Sequence, residues 1–336
     1  MTLRLGLLGA ARITPAAVIY AADAVPEVSV TAVAARDQAR AEAFAQEHAI
    51  PGVADSYAAL IARDDVDAVY IALPASHHLV WVEAALGAGK AVLCEKPLSG
   101  NAPALRSLLQ KGYGPVLMEA MHYVYHPLWA RVEEILQGGT LGRLTDLAMH
   151  FSVPHIPPGD IRRRFHTAGG ALLDLGIYGV HMFRRLLGDP LTVASADAQG
   201  VIDQVDERFR GVLSHAAYPG LAATVTASMS PEDPLAAWLS LSGSEGSLRV
   251  QNPVAPQLGH ELMLTRKDGE LRESVDPTPS YCYQLQAFAD AVLRGKRPPT
   301  DGADALATAV VLDALYEKAG LPPRPALERQ ARGPRP

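Results

Sequence analysis

Apolar and polar positions follow two different regimes along the chain. Through the first third, short continuous apolar runs are divided by alanine-rich stretches that carry charges at helical spacing. Leu3 to Leu8 is the first such run and ends at Gly9, after which Pro15 to Ala24 reads as a helix. The cycle repeats with a strand from Val28 to Ala35 and a helix from Asp37 to His48. It continues with Val66 to Leu73 and His78 to Ala88, then Lys90 to Cys94 and Ala102 to Gln110. Strands separated by helices of this length predict βαβ units and a parallel sheet covered on both faces. Tyr113 to Ala120 predicts one more strand, and Leu128 to Leu136 a helix stopped by Gly138-Gly139.

From about Gly142 the period shortens. Leu144 to Val153, Leu191 to Ala198, Phe209 to Ala217, Ala222 to Met229, Ala237 to Leu241 and Glu261 to Arg266 are β-like and separated by Gly, Pro, Asp or Ser clusters. Ala171 to Leu187 is the one helix among them, and helical character returns at Tyr281 to Arg294 and Ala303 to Ala319. The fold class expected is therefore α/β: a doubly wound parallel-sheet domain over residues 1–122, and an α+β domain on an open, mainly antiparallel sheet over 123–320. Residues 321–336 read as a flexible, proline-rich tail.

Composition narrows the function. The 336 residues are 49% hydrophobic and 20% charged, enough for two globular domains. A net charge of −6 spread without blocks gives neither a nucleic-acid footprint nor a membrane-surface patch, which leaves small molecules as partners. No apolar run approaches the roughly 20 residues of a membrane span, and the start of the chain carries no export signal. The only cysteines, Cys94 and Cys282, lie in apolar or aromatic settings and read as buried thiols of a reduced cytoplasm.

The first strand-turn-helix carries Gly9-Ala10-Ala11-Arg12-Ile13-Thr14 where a dinucleotide fingerprint has Gly-x-Gly-x-x-Gly/Ala. Only the first glycine is kept, and an ordinary strand-helix turn remains open on this motif alone. The second strand ends on Ala35-Arg36 with no carboxylate at its tip. A carboxylate there would bind a ribose 2′-hydroxyl, whereas an arginine can pair a 2′-phosphate, so the residues favour NADP and leave NAD possible. A solvated charge at the start of a helix is the other reading of Arg36.

Further motifs accumulate along the chain. Leu73-Pro74-Ala75-Ser76-His77-His78, Cys94-Glu95-Lys96-Pro97 and Gly169-Gly170-Ala171-Leu172-Leu173-Asp174-Leu175-Gly176-Ile177-Tyr178 together resemble the glucose-fructose oxidoreductase and inositol dehydrogenase family, Gfo/Idh/MocA, over about Leu3 to Gly320. Tyrosine at 178 is similar to the branch with dimeric dihydrodiol dehydrogenase and NADP-dependent xylose dehydrogenase. The resemblance implies a Rossmann domain, a catalytic pair Lys96 and Tyr178, and a cis Lys96-Pro97 bond. It implies cofactor contacts from Gly9, Ala11, Arg12 and Ile13 in the first turn, from Arg36, and from Leu73, Pro74, His78, Glu95 and Lys96 at later strand ends. Pro74 then lies beside the nicotinamide and presents His77 or His78 to a cleft between the domains, His78 being the family position. His122 is implied on the substrate side, in a segment that lines the pocket of related enzymes, and Arg162, after Asp160-Ile161, is a candidate polar contact there. A homodimer or larger assembly follows on the same grounds. Ala11 and Thr14 depart from the fingerprint, and Ala168 stands where the family has a glycine, so turn geometry is where this chain differs.

The chemistry fits those residue types. Losing a hydride from an alcohol carbon requires loss of the hydroxyl proton, so a base and a stabiliser of the developing alkoxide are needed. A lysine beside a phenol favours phenolate, which assigns proton transfer to Tyr178 and electrostatic stabilisation to Lys96, with the reverse assignment open. Asp174, four residues before Tyr178, shares a helical face with it and with His181. Asp174 can bind a substrate hydroxyl or hold Lys96, or serve only as a helix N-terminal acid. His122 and His126 stand four apart, but no third ligand has recognisable spacing, so no metal is predicted. The expectation is an oxidoreductase acting on an aldose at C1 or a cyclic trans-diol. A keto-sugar reductase is the second reading, and a non-catalytic NADP-sensing protein the reading of another class.

Overall fold

The computed structural model describes residues 2–327. These form two compact units, one of residues 2–120, 285–306 and 325–327 and the other of 121–284 and 307–324. The chain thus divides two residues before the expected boundary, and part of the late helices belongs with the first unit.

In the first unit, strands β1 (Leu3–Leu8), β2 (Val28–Ala34), β3 (Gly52–Val53), β4 (Ala68–Ile71), β5 (Ala91–Cys94) and β6 (Leu117–Glu119) form a parallel sheet in the order β3-β2-β1-β4-β5-β6. Helices α1 (Tyr20–Asp23), α2 (Gln38–Glu47), α3 (Tyr57–Ile61), α4 (His78–Gly87) and α5 (Ala102–Leu109) connect them. The continuous apolar runs follow from burial on both faces: Leu5, Leu7, Val69, Ile71, Val92 and Leu93 are all at 0% exposure. Each such side chain contributes about 2 kcal/mol of burial. The order reverses between β1 and β4, the point where open α/β sheets bind ligands at their carboxyl ends. Gly9, Arg36, Pro74 and Lys96 all lie just past those ends.

The second unit opens with α6 (Pro127–Gln137), then β7 (Leu144–Ser152) and α7 (Ile177–Leu187). Strands β8 (Thr192–Gln199), β9 (Arg208–Ser214), β10 (Ala222–Ser228), β11 (Ala236–Gly243), β12 (Gly246–Gln251), β13 (Glu261–Arg266) and β14 (Gly269–Glu273) complete an eight-stranded sheet. All its pairs are antiparallel except β7 with β10. One face is apolar through Leu147, Met149, Val225, Leu239 and Val250, and α7 packs there because Gly179 has no side chain; a Cβ at Gly179 would come within 2.6 Å of Val225. Helices α8 (Ser280–Arg294) and α9 (Gly302–Lys318) each belong partly to one unit and partly to the other.

The expectation of a flexible tail from 321 meets a correction. Arg324 is at 0% exposure, Ala326 packs on the first unit's core, and the Leu327 amide donates to the Ser76 carbonyl at 2.7 Å. Buried partners far back in sequence fix this segment; the rest of the proposed tail lies outside the described residues.

Candidate active site

The first turn is tight for a stated reason. Gly9 has φ +107°, and a Cβ there would stand 2.6 Å from the Ala72 carbonyl oxygen at the end of β4. The strand ends on either side of the sheet's switch point therefore touch through a residue without a side chain. Ala11 is half-buried, while Arg12 and Ile13 are exposed at the mouth of the turn. Thr14 is fully buried and its hydroxyl oxygen has no hydrogen-bond partner among the described residues. A π-helical turn, Pro15–Ile19, follows. The close approach at Gly9 and the orphaned Thr14 hydroxyl fit a dinucleotide's phosphates even though the second and third fingerprint glycines are absent.

At the end of β2, Arg36 is exposed and Asp37 is occupied elsewhere: its carboxylate caps α2 by accepting the Arg40 amide at 3.1 Å. Arg40, which the sequence reading missed, donates to the Ala10 carbonyl at 2.6 Å and so bridges back to the first turn. Its position three residues after a capping aspartate was the available signal. Tyr57 stands beside this pair, its pKa raised by burial and partly lowered again by Arg36 and Arg40.

Lys96 sits half-buried after β5 in a loop fixed on both sides. The Lys96-Pro97 bond is cis, as the resemblance implies. Pro97 offers its carbonyl to His78 Nδ1 at 2.7 Å, and the Leu98 amide donates to Glu119 Oε1 at 2.7 Å. Glu95 accepts the Tyr70 hydroxyl at 2.6 Å. Leu73 and Pro74 are half-buried at the end of β4.

His78 requires a correction. Its ring is 1% exposed rather than presented to a cleft, and its Nε2 lies 2.8 Å from the Leu73 carbonyl, so it ties the loop after β4 to the loop after β5. Burial lowers its pKa to about 4, outweighing the two carbonyls that favour the charged ring. His77 is the more exposed of the two, with Nδ1 3.0 Å from the Ser76 hydroxyl.

The second unit gathers the other candidates. A π-helical turn, Leu172–Gly176, feeds α7 and carries half-buried Asp174; Tyr178 follows at 5% exposure. The Tyr178 hydroxyl is 3.4 Å from His122 Nε2, and His122 Nδ1 is 2.8 Å from the Ser280 hydroxyl. The Tyr281 ring lies against His122 with centroids 4.3 Å apart, and Phe151 lies 5.8 Å from Tyr178. Arg162 is held by a two-pronged bond to Asp160 at 2.9 and 3.0 Å and points Nη1 to within 3.8 Å of Asp174 Oδ2. Asp160 raises the Arg162 pKa. His181, expected on the same helical face, is wholly buried with Nδ1 2.6 Å from the Tyr123 hydroxyl. Ser280 and Tyr281, separated by about a hundred residues from Tyr178, carried no sequence signal. Ala168, the glycine substitute, adopts φ +62° and accepts the left-handed strain.

The first unit offers a tight turn at the switch point of a parallel sheet, and the second a buried tyrosine beside a paired acid and arginine; each is a feature of the class of nicotinamide-dependent oxidoreductases. Residues 3–111 match the Gfo/Idh/MocA oxidoreductase family's NAD-binding Rossmann domain and 129–249 its C-terminal domain; the chain belongs to this family. It is similar to D-xylose 1-dehydrogenase (NADP(+)) 2 of Haloferax volcanii, 37% identical over 94% of this chain and 96% of that one. It is 36% identical to trans-1,2-dihydrobenzene-1,2-diol dehydrogenase of Mus musculus over 77% of this chain and 75% of that one. The 3-ketoreductase KijD10 of Actinomadura kijaniata, solved with NADP and TDP-benzene, superposes with a TM-score of 0.88 at 32% identity over 95% of this chain and 98% of that one. The chain is thus an NAD(P)-dependent oxidoreductase acting on CH–OH groups or the corresponding carbonyls of sugar-like small molecules. No helix among the described residues is long and apolar enough to cross a membrane.

Proposed function

We propose that this protein is an NADP-preferring dehydrogenase that oxidises an aldose at C1 or a closely related cyclic diol. The observation that carries the reading is the buried Tyr178 hydroxyl beside His122, with Asp174 and Arg162 paired nearby. NADP, when bound, supplies the hydride acceptor. Tyr178 takes the substrate's hydroxyl proton, and His122 accepts a hydrogen bond from, or returns one to, its phenol oxygen. The Lys96 ammonium steadies the substrate oxygen from which the proton leaves. Asp174 and Arg162 orient further hydroxyls, a task suited to a charged pair already held in place by Asp160. Gly9, Ala11, Ile13, Thr14, Leu73 and Pro74 hold the dinucleotide, with Glu95 fixing the loop that carries Lys96 and His78 joining it to the loop after β4. Arg36, with Arg40 and Arg12, takes the 2′-phosphate.

Reduction of a keto-sugar is the second reading, favoured by the likeness to the 3-ketoreductase KijD10. The test is near-ultraviolet absorbance with purified protein: aldoses and trans-diols with NADP or NAD in one series, keto-sugars with NADPH in the other. NADPH formation on an aldose, faster than NADH formation, supports the oxidative reading. Turnover confined to the keto-sugar series replaces it with the second. Silence in both, with NADPH still bound, turns the reading to a sensor.

We also place the working assembly as a homodimer or larger homo-oligomer in the cytoplasm. The sheet's second face carries Trp238 stacked on His150 at 5.6 Å, with the Arg249 guanidinium 4.0 Å from the indole, a half-buried patch suited to a second copy. Cys94 and Cys282 are free thiols, as a reducing compartment keeps them.

A further inference from the structure

Arg324 is among the largest side chains fully buried in the described chain. It stands in Leu321-Pro322-Pro323-Arg324-Pro325, a stretch whose prolines stiffen the backbone and lower the entropy lost on docking. Its Nη2 donates to Asp206 Oδ1 at 2.6 Å, its Nε to the Gly169 carbonyl at 2.7 Å and its Nη1 to the Pro322 carbonyl at 3.2 Å. The guanidinium also lies 3.9 Å from the centroid of the Tyr316 ring, whose hydroxyl donates to Asp206 Oδ1 at 3.2 Å. Asp206, at 0% exposure, accepts the Leu172 amide through its other oxygen at 2.7 Å.

The turn under this pair leads directly to the substrate candidates. Gly170, at φ +140°, lies so close that a Cβ would stand 2.3 Å from Asp206 Oδ1. Its amide donates to the Arg162 carbonyl at 3.0 Å, and its carbonyl accepts the Asp174 amide at 3.0 Å. Tyr178 follows one helical turn later. A buried ion pair adds little stability over apolar packing and is better suited to fixing one arrangement among several. The arrangement fixed here is that of Arg162, Asp174 and the start of the helix of Tyr178.

We infer that Arg324 is a positioning residue for the substrate side of the site, acting through Asp206 and the Gly169-Gly170 turn. The inference rests on the reading of Arg162, Asp174 and Tyr178 given above. Arg324→Lys in the full chain keeps the charge on Asp206 but cannot also reach the Gly169 carbonyl, because lysine lacks the planar fork. Asp206→Asn/Arg324→Met removes both charges and covers the case in which a lysine there prevents folding.

Four quantities are measured on whichever variant folds: the Kd for NADPH, kcat and KM for the sugar, and amide exchange at residues 170–176. The expected result is an NADPH Kd within twofold of the parent, a KM raised at least fivefold together with a lower kcat, and exchange at Leu172 and Asp174 at least tenfold faster. A loss in kcat alone, in proportion to the folded fraction, with parental KM and exchange, overturns the inference. If the parent chain turns over no sugar, the functional reading fails and exchange alone decides. Faster exchange in the variant then supports the anchor, and unchanged exchange overturns it.

Discussion

The Tyr178 hydroxyl stands 3.4 Å from Nε2 of His122, and the opposite nitrogen of that imidazole stands 2.8 Å from the Ser280 hydroxyl. A phenol, an imidazole and an alcohol thus form a polar line through an otherwise aromatic, buried cluster of the second unit. The longer distance is the weak link of the line, and a small shift would make it a good hydrogen bond.

Removing the phenol hydroxyl should separate chemistry from cofactor binding. Tyr178→Phe is expected to lower kcat by about 10²–10⁴-fold, the usual range for a lost acid-base group. NADPH affinity should stay within about twofold, because the dinucleotide cradle of the first unit does not involve Tyr178. Steady-state kinetics with a fluorescence titration of NADPH measures both.

The imidazole should contribute less. His122→Phe keeps a ring to stack on Tyr281 but leaves Tyr178 and Ser280 without a nitrogen between them. A fall in kcat of about tenfold, one to two hydrogen bonds' worth, is expected. An unchanged kcat would remove His122 from the proton line.

The choice of cofactor should follow two arginines. Arg36→Ala and Arg40→Ala are each expected to weaken NADP by about 10–100-fold while leaving NAD nearly unchanged, since each charge-assisted bond to a phosphate is worth about 1.5–3 kcal/mol. Comparing kcat/KM for the two cofactors reads this directly. Equal losses for NAD and NADP would show that Arg40 acts through its bond to Ala10 rather than through a phosphate.

The latch at His78 predicts a pH dependence. Its folded pKa of about 4 lies below the ordinary 6.5, so unfolding takes up a proton between about pH 4 and pH 6.5. Stability from this group is full above pH 6.5, falls as pH drops and levels off below pH 4, a change of about 3 kcal/mol. His126 and His150, also lowered by burial, act in the same direction. Urea unfolding at pH 7 and pH 4.5 should give a smaller difference for His78→Gln than for the parent.

Much of this was legible in the sequence because the responsible physics is local. The run Leu3–Leu8 ended by Gly9 has the bounds of β1, and Glu261–Arg266 those of β13. Three strands escaped notice: Gly52–Val53 is only two residues long, Gly246–Gln251 has just Leu248 and Val250 as apolar positions among polar ones, and Gly269–Glu273 at the sheet's edge is mostly exposed and has no apolar alternation to detect. Motif and spacing single out Lys96, Tyr178, Asp174 and Arg162 as candidates, and the second unit brings Asp174 to Arg162 and Tyr178 to His122. What escaped depends on long-range pairing. Arg324 looks like a charge in a proline-rich tail until Asp206, 118 residues earlier, is seen to bury with it. Nothing local distinguishes an interior His78 from one aimed at a ligand, because its two carbonyl partners come from separate loops.

Direct hydride transfer is the central claim, and deuterium reports it without reference to any single residue. An aldose deuterated at C1 is incubated with the protein and NADP, and the nicotinamide C4 of the product is examined by mass spectrometry and NMR. The account predicts deuterium on C4 from the labelled sugar and none from heavy water. NADPH that carries no label from the sugar, or no NADPH at all under conditions where the protein binds the cofactor, would contradict it.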